Sequence, residues 1–191
     1  MLTLLNQKQR QNPFFGIEPA FENILQTLNT IRYPSRTLSF DEELIYMVGK
    51  APFIQYIKDK RNRYGAKLFI LSGSNEGTSH KGYLHYGKFY RGKLRERPTS
   101  FSGYGKGYEM VMNSIIAMNL RYKGYWIMMD SWFSGLTLFY HGKIWGINMC
   151  GTIKSNRKGL DTKKNTMFKD LMSKIRPQFD KDKKRGYLRG H

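Results

Sequence analysis

Two aspartates in differently apolar settings are the residues of this chain best placed to do chemistry. Asp41 follows Leu38-Ser39-Phe40, and Asp130 ends the apolar run at 125–129. An ionised carboxylate at the tip of a buried strand is costly unless a cation or hydrogen bonds compensate it. The chain has 33 Lys and Arg against 14 Asp and Glu, a net charge of +19. In so basic a chain, the two carboxylates suggest a divalent metal held beside a bound polyanion.

Two carboxylates brought together from separate strands can bridge Mg²⁺, which prefers hard oxygen ligands and usually keeps waters and substrate phosphate oxygens. A pair of such ions stabilises both the attacking and the leaving oxygen of an in-line phosphoryl displacement. Basic residues must then hold the nucleic acid. The pattern alone leaves an alternative open, namely that each aspartate only caps a helix or accepts backbone hydrogen bonds.

Composition limits the class of protein. A length of 191 residues with 40% hydrophobic residues fits one folded domain with an appended arm or tail. The excess of basic residues favours a phosphate backbone as partner. No segment approaches the ~20 apolar residues of a spanning helix, so we expect no membrane. The single cysteine, Cys150, rules out an intrachain disulfide and suits a reducing compartment.

The elements that must position the aspartates follow from periodicity. We predict a helix from Glu18, a strand within 37–48, and a hairpin of strands at 67–71 and 83–90. An exposed loop at 92–107 precedes a helix that runs from Tyr108 with Tyr122 on its apolar face. A strand at 125–129, buried on both faces with Trp126 in the core, precedes a short helix at 136–141 and a strand at 144–153. Another helix is expected near 167–175.

This order predicts an α/β domain with a mixed sheet flanked by helices. In open α/β sheets, ligands gather at the carboxyl ends of strands, which is where Asp130 falls. After Asp130, we expect Trp132 and Phe133 either in the core or stacked on a flipped or frayed base, with the core favoured.

Three blocks of sequence stand in a recognisable order over about two-thirds of the chain, 31–160. They are Leu38-Ser39-Phe40-Asp41-Glu42-Glu43-Leu44 with Gly49-Lys50, Tyr56 and 60–68; Asp130-Ser131-Trp132-Phe133-Ser134-Gly135 with Leu138; and Gly151-Thr152-Ile153-Lys154-Ser155-Asn156-Arg157-Lys158-Gly159. The blocks resemble the two catalytic blocks and the following Asn-Arg-Lys-Gly signature of piggyBac-type transposases.

The resemblance implies an RNase H-like fold and a DDE/DDD nuclease and strand-transfer activity that uses Mg²⁺ on DNA in the nucleus. Asp41 and Asp130 take the places of the first two catalytic aspartates, and both would be metal ligands. DNA is the expected partner, and a homodimer is one assembly open to the chain. The expected DNA-binding residues are Lys50, Lys60, Arg61, Arg63, Lys67, Lys154, Arg157 and Lys158.

The chain also departs from the family pattern. The third acidic ligand of the family lies in a Gly-Gly-Val-Asp segment that does not occur here, and Asp161, Asp170, Asp180 and Asp182 lack its context. Lys50 and Ser131 stand where the family usually has Arg and Asn. We therefore expect a partial copy with a core incomplete at its C-terminus and little activity alone.

The predicted domains are an N-terminal helical arm at 1–34, a partial transposase core at 35–160 and a basic segment at 161–191. Two alternatives to a catalytic-domain fragment stay open. One is a non-catalytic DNA-binding or interaction module, and the other is a product that cannot fold because its sheet lacks downstream elements.

Overall fold

The computed structural model describes residues 12–49, 51, 53–58, 63–74, 82–92 and 99–157. The contacts divide the chain into a first unit, Met1–Thr152, and a second unit, Ile153–His191. All the helices and strands described below lie in the first unit. Of the second unit the structure describes only 153–157, so the predicted helix near 167–175 and the basic segment at 161–191 lie outside the described residues.

The first unit contains one mixed sheet of six strands. They are β1 (Thr37–Tyr46), β2 (Ile54–Tyr56), β3 (Tyr64–Gly73), β4 (Leu84–Phe89), β5 (Trp126–Met129) and β6 (Asn148–Gly151). The strand order is β2-β3-β1-β5-β6, with β4 also paired to β3. Pairing is antiparallel around β3 and parallel from β1 through β5 to β6. The predicted mixed sheet is therefore confirmed.

Among the described residues, three α-helices accompany the sheet: α1 (Glu18–Ile31), α2 (Lys106–Ala117) and α3 (Leu136–Ile144). The main core lies between one face of the sheet and α2, and it includes Leu38, Phe40, Val111, Ile115 and Ile127. Because side chains alternate along a strand, Leu38 and Phe40 of β1 reach this core while the residues between them face the other side. This alternation decides which residues of β1 are left for solvent and chemistry.

Helix α1 packs against β4, on the other side of the sheet from α2. Phe21 of α1 lies so close to Gly87 of β4 that a Cβ there would be 2.7 Å from the Phe21 ring. A second apolar cluster of Phe14, Leu68 and Phe89 fills the same region. The helix therefore covers the β3–β4 part of that face.

Strand β5 corrects two predictions. It is central, between β1 and β6, but its side chains alternate: Ile127 and Met129 are buried, while Trp126 and Met128 are each 45% exposed. The prediction of a strand buried on both faces, with Trp126 in the core, was wrong. The reason is that α2 covers one face of β5, whereas α1 packs over β4 rather than β5.

The segment before and after α2 also differs from expectation. Part of the predicted loop at 92–107 forms a 3₁₀ helix (Ser102–Tyr104), and α2 begins already at Lys106. At its other end α2 stops at Ala117, because Asn119 has a φ of 50° and Tyr122 a φ of 59°. Left-handed backbone cannot continue a right-handed helix. Tyr122 is therefore exposed outside the helix and not on its apolar face.

Candidate metal and nucleic-acid site

The parallel pairing of β1 with β5 places the two predicted aspartates side by side. The last paired residues are Phe40 and Met129, and Asp41 and Asp130 are the next residue on each strand. Adjacent strands lie about 4.8 Å apart. The structure thus brings together two carboxylates that are far apart in sequence, at the point where β5 ends. Their role as metal ligands stays a prediction.

Local hydrogen bonds orient both carboxylates. Oδ1 of Asp41 accepts the backbone N–H of Glu42 at 2.7 Å, and Oδ1 of Asp130 accepts that of Ser131 at 2.5 Å. Both aspartates are exposed, and among the residues the structure describes neither forms a salt bridge. A cation arriving from solvent can therefore meet two negatively charged groups that no cation among the described residues already neutralises.

The turn after β5 is held firmly in place. The carbonyl oxygen of Asp130 accepts the N–H groups of Phe133 and Ser134, each at 3.1 Å, and the Ser134 hydroxyl at 3.0 Å. Phe133 is buried and meets the Phe40 ring edge-on, with ring centroids 4.9 Å apart. Gly151 of β6 lies directly beside this turn, since a Cβ on Gly151 would be 2.2 Å from Ser134 Oγ. The predicted core position of Phe133 is confirmed.

The chain is similar to proteins that are already known. The sequence model of the family described as Transposase IS4 matches residues 2–184. The chain belongs to this transposase family. The resemblance to piggyBac-type transposases is confirmed.

The transposase domain also has a solved relative. Its structure is similar to that of a piggyBac transposase determined by cryo-EM as a synaptic complex with hairpin DNA, with a TM-score of 0.69 and 21% identity. The match covers 83% of this chain and 31% of that chain, so the domain spans about a third of the relative's length. The RNase H-like fold, a mixed sheet flanked by helices, is thereby confirmed.

A cation of the transposase domain lies close to the turn that follows Asp130. Lys67 of β3 is ion-paired with Glu42, the neighbour of Asp41. Its Nζ lies 4.7 Å from the centroid of the Trp132 ring and 5.0 Å from that of Phe69. This cation–π and ion-pair cluster joins β3, β1 and the turn after Asp130. Sequence reasoning missed this cluster, although antiparallel pairing of the strand that carries Glu42 with the strand that carries Lys67 would have suggested the ion pair.

The other predicted DNA-binding residues are only partly described. Arg63 is exposed just before β3. Lys154 is exposed in the second unit, where its carbonyl accepts the Arg157 N–H at 3.0 Å. The remaining predicted residues lie outside the described ranges; they are Lys50, Lys60, Arg61 and Lys158. The DNA-binding role of each residue stays a prediction.

Two absences among the described residues concern metal ions and membranes. No group of three or more His, Cys, Asp or Glu side chains there could hold a metal ion, so Asp41 and Asp130 stand as a pair in this part of the chain. No described helix has the length and apolar character needed to cross a bilayer.

Proposed function

We propose that this chain is the DNA-binding catalytic part of a piggyBac-like transposase, with Mg²⁺-dependent cleavage and strand transfer as its chemistry. The observation that carries the proposal is the register that puts Asp41 and Asp130 at neighbouring positions of parallel strands. The net charge of +19 supports DNA as the partner. The similar transposase was determined with hairpin DNA, which also supports this partner. A nuclear location is part of the proposal.

The donor chemistry fits Mg²⁺. Asp41 and Asp130 offer hard carboxylate oxygens, are exposed, and would hold the ion between them. When bound, the metal stabilises the developing charge on the attacking and leaving oxygens of the phosphodiester. The chain itself fixes the geometry, since the backbone bonds to each Oδ1 hold the carboxylates toward the end of β5. Exposed cations such as Arg63 would hold the DNA backbone.

We expect weak cleavage by this chain alone. Two-metal phosphoryl transfer usually employs a larger number of acidic ligands than the two described here, and the family's Gly-Gly-Val-Asp segment does not occur in the sequence. Metal binding is therefore a more sensitive test than turnover. Calorimetric titration with Mn²⁺, as a stand-in for Mg²⁺, should give a binding isotherm for the wild-type chain and little heat for Asp130→Asn.

Glu43→Gln is the matched control for that titration. Glu43 is an exposed acid of β1, two residues past Asp41, and β5 has already ended before its position. The Glu43→Gln variant should therefore bind Mn²⁺ as the wild type does. If Asp130→Asn and Glu43→Gln weaken binding equally, the ion is held by general negative charge and the assignment fails.

A second candidate function is a DNA-binding module without catalysis. It is favoured by the finding that the described ranges contain two neighbouring acids but no group of three. DNA affinity should then fall steeply with salt, by about 10³–10⁵ between 50 and 200 mM if 6–10 phosphates are contacted. It should also be the same with EDTA, with Mg²⁺ and in Asp41→Asn. A Mg²⁺-dependent affinity that Asp41→Asn abolishes would reject this candidate in favour of the first.

A further inference from the structure

A cavity away from the sheet edge is lined largely by rings. Its volume is about 280 Å³, and it lies between the 3₁₀ helix, α2 and the end of α3. Five ring side chains line it, and we call it the aromatic pocket: Phe101, Tyr104, Tyr108, His141 and Trp145. The size and apolar lining are those of a site for a small flat group rather than for a peptide.

The rings are arranged from a buried floor to an exposed rim. Tyr108 is buried, and Tyr104 stacks on it with ring centroids 4.6 Å apart and planes 25° apart. Phe101 meets both Tyr108 and Trp145 edge-on, at 5.9 and 6.1 Å. Tyr104 is 55% exposed, so a ring of the stack is open to solvent at the rim. A flat aromatic ligand can extend this stack.

The pocket also has one polar pair. The Tyr108 hydroxyl and His141 Nδ1 are hydrogen-bonded at 2.5 Å. Burial, and secondarily the nearby Tyr104, raises the pKa of Tyr108, which favours the protonated hydroxyl. In the tautomer of His141 in which Nδ1 accepts from this hydroxyl, Nε2 carries the ring proton and is a donor for an acceptor of the ligand.

The charges around the pocket select against a cationic ligand. The Arg121 guanidinium lies 5.4 Å from the centroid of Trp145, and none of the lining residues is acidic. Glu109, on the same helix as Tyr108, is buried and bonded to Thr99 and Lys106. A cage for a quaternary ammonium would face repulsion here, whereas a base attached to a phosphate backbone would be attracted.

The pocket is linked to the paired aspartates through the start of α2. A Cβ on Gly107 would lie 3.1 Å from the Trp132 carbonyl oxygen and 3.3 Å from the Phe133 Cα. Tyr108, the next residue, therefore enters the pocket from a backbone that packs on the turn after Asp130.

We propose that the aromatic pocket binds an unpaired nucleobase of DNA by stacking on Tyr104 and its neighbours. The proposal deepens the proposed function and rests on DNA being the partner. Stacking on an aromatic side chain does not require a particular base, so the pocket would recognise an unpaired or extruded base rather than a sequence. Bases inside a duplex are already stacked and would not enter.

The experiment compares two DNAs on the full chain. One is a hairpin with an unpaired 2-aminopurine, and the other is a duplex of the same length in which that base is paired. The hairpin should bind about 5- to 100-fold more tightly, as expected for one stacked base, and its fluorescence should be quenched. Tyr104→Ala should remove both the preference and the quenching, and Tyr104→Phe should retain both.

Tyr64→Ala is the matched control. Tyr64 is 56% exposed and also contacts a second tyrosine, Tyr56, at 5.0 Å, but it does not line the pocket. It should leave the ratio of the two affinities unchanged. Equal binding of both DNAs by the wild type, or an equal loss of affinity for both DNAs in Tyr104→Ala, would overturn the proposal that the pocket binds a base. Neither result would contradict the proposal that the chain binds DNA. No binding of either DNA would overturn the proposed function as well.

Discussion

Neutralising one of the paired aspartates should stabilise the chain when no metal is present. Asp41 and Asp130 directly follow the last paired residues of β1 and β5, and the spacing of neighbouring strands, about 5 Å, sets the scale for the separation of their charges. Two like charges at that distance in water repel by about 0.8 kcal/mol, and by about half of this at physiological salt. Asp41→Asn removes the repulsion and keeps the Oδ1 that accepts the Glu42 N–H. In EDTA we expect its Tm to rise by about 1–3 °C.

Mg²⁺ should reverse the order of the two Tm values, so that the wild type melts at a higher temperature than Asp41→Asn. An ion that binds only the folded state stabilises it by about 1.4 kcal/mol at a concentration ten times its Kd. This corresponds to about 3–6 °C in Tm for a chain of this size. The wild type should gain this increment, and Asp41→Asn should gain little, because one carboxylate of the pair is gone. Circular dichroism melts at low salt, with EDTA or with increasing Mg²⁺, measure both effects.

A double-mutant cycle separates the pair from general charge effects. Asp41→Asn and Asp130→Asn should each raise the Tm in EDTA, and the double variant should gain less than their sum. Glu43→Gln should show neither the coupling nor the Mg²⁺ reversal. A fall in Tm for Asp41→Asn in EDTA, or an equal Mg²⁺ effect in all variants, would refute the pairing. A melt without a cooperative transition would favour the product that cannot fold.

Two further predictions concern the frame around the site. Gly151→Ala should destabilise the chain by about 1–3 kcal/mol, because its Cβ would lie 2.2 Å from Ser134 Oγ. Gly103→Ala is the control and should not destabilise the chain, because a Cβ there would have nothing within 4 Å. Urea unfolding measures both variants, and equal unfolding midpoints would contradict the packing. Burial, and secondarily Arg32, lowers the pKa of His85, so the unfolded state binds a proton more readily than the folded state. The contribution of His85 to stability should therefore be fully present above about pH 6.5 and should decline as the pH falls below this value. His85→Gln should flatten the resulting decline in Tm. Parallel profiles of Tm against pH for the wild type and the variant would contradict this prediction.

The sequence was sufficient for most elements that face the main core. The strands β1, β3 and β5 were predicted because apolar runs and alternation are local signals. Strand β2 was not, because its three residues, Ile54–Tyr56, owe their conformation to pairing with β3. The exposure of Trp126 was also beyond local pattern, since a strand does not encode which of its faces a helix will cover.

Contacts between distant segments were the least predictable part of the site. The pair of Lys67 with Glu42 depends on the antiparallel register of β1 and β3, in which Glu42 lies opposite Phe69. The aromatic pocket needs three separate elements to converge, and two of its rings, Phe101 and Tyr104, lie in a segment that was predicted to be an exposed loop. Single-sequence patterns give faces and periods, whereas such sites require the register.

The same register makes the paired aspartates a consequence of packing rather than of their own interactions. Asp41 is exposed and contributes little to the core, whereas Phe40 and Met129, which precede the two aspartates, are buried against α2 and the turn. A slip of one residue between β1 and β5 would turn buried side chains toward solvent, and it would place Glu42 rather than Asp41 beside Asp130. The apolar neighbours therefore determine which acids meet. Substitution of Phe40 in the core should therefore separate the two carboxylates without changing either aspartate.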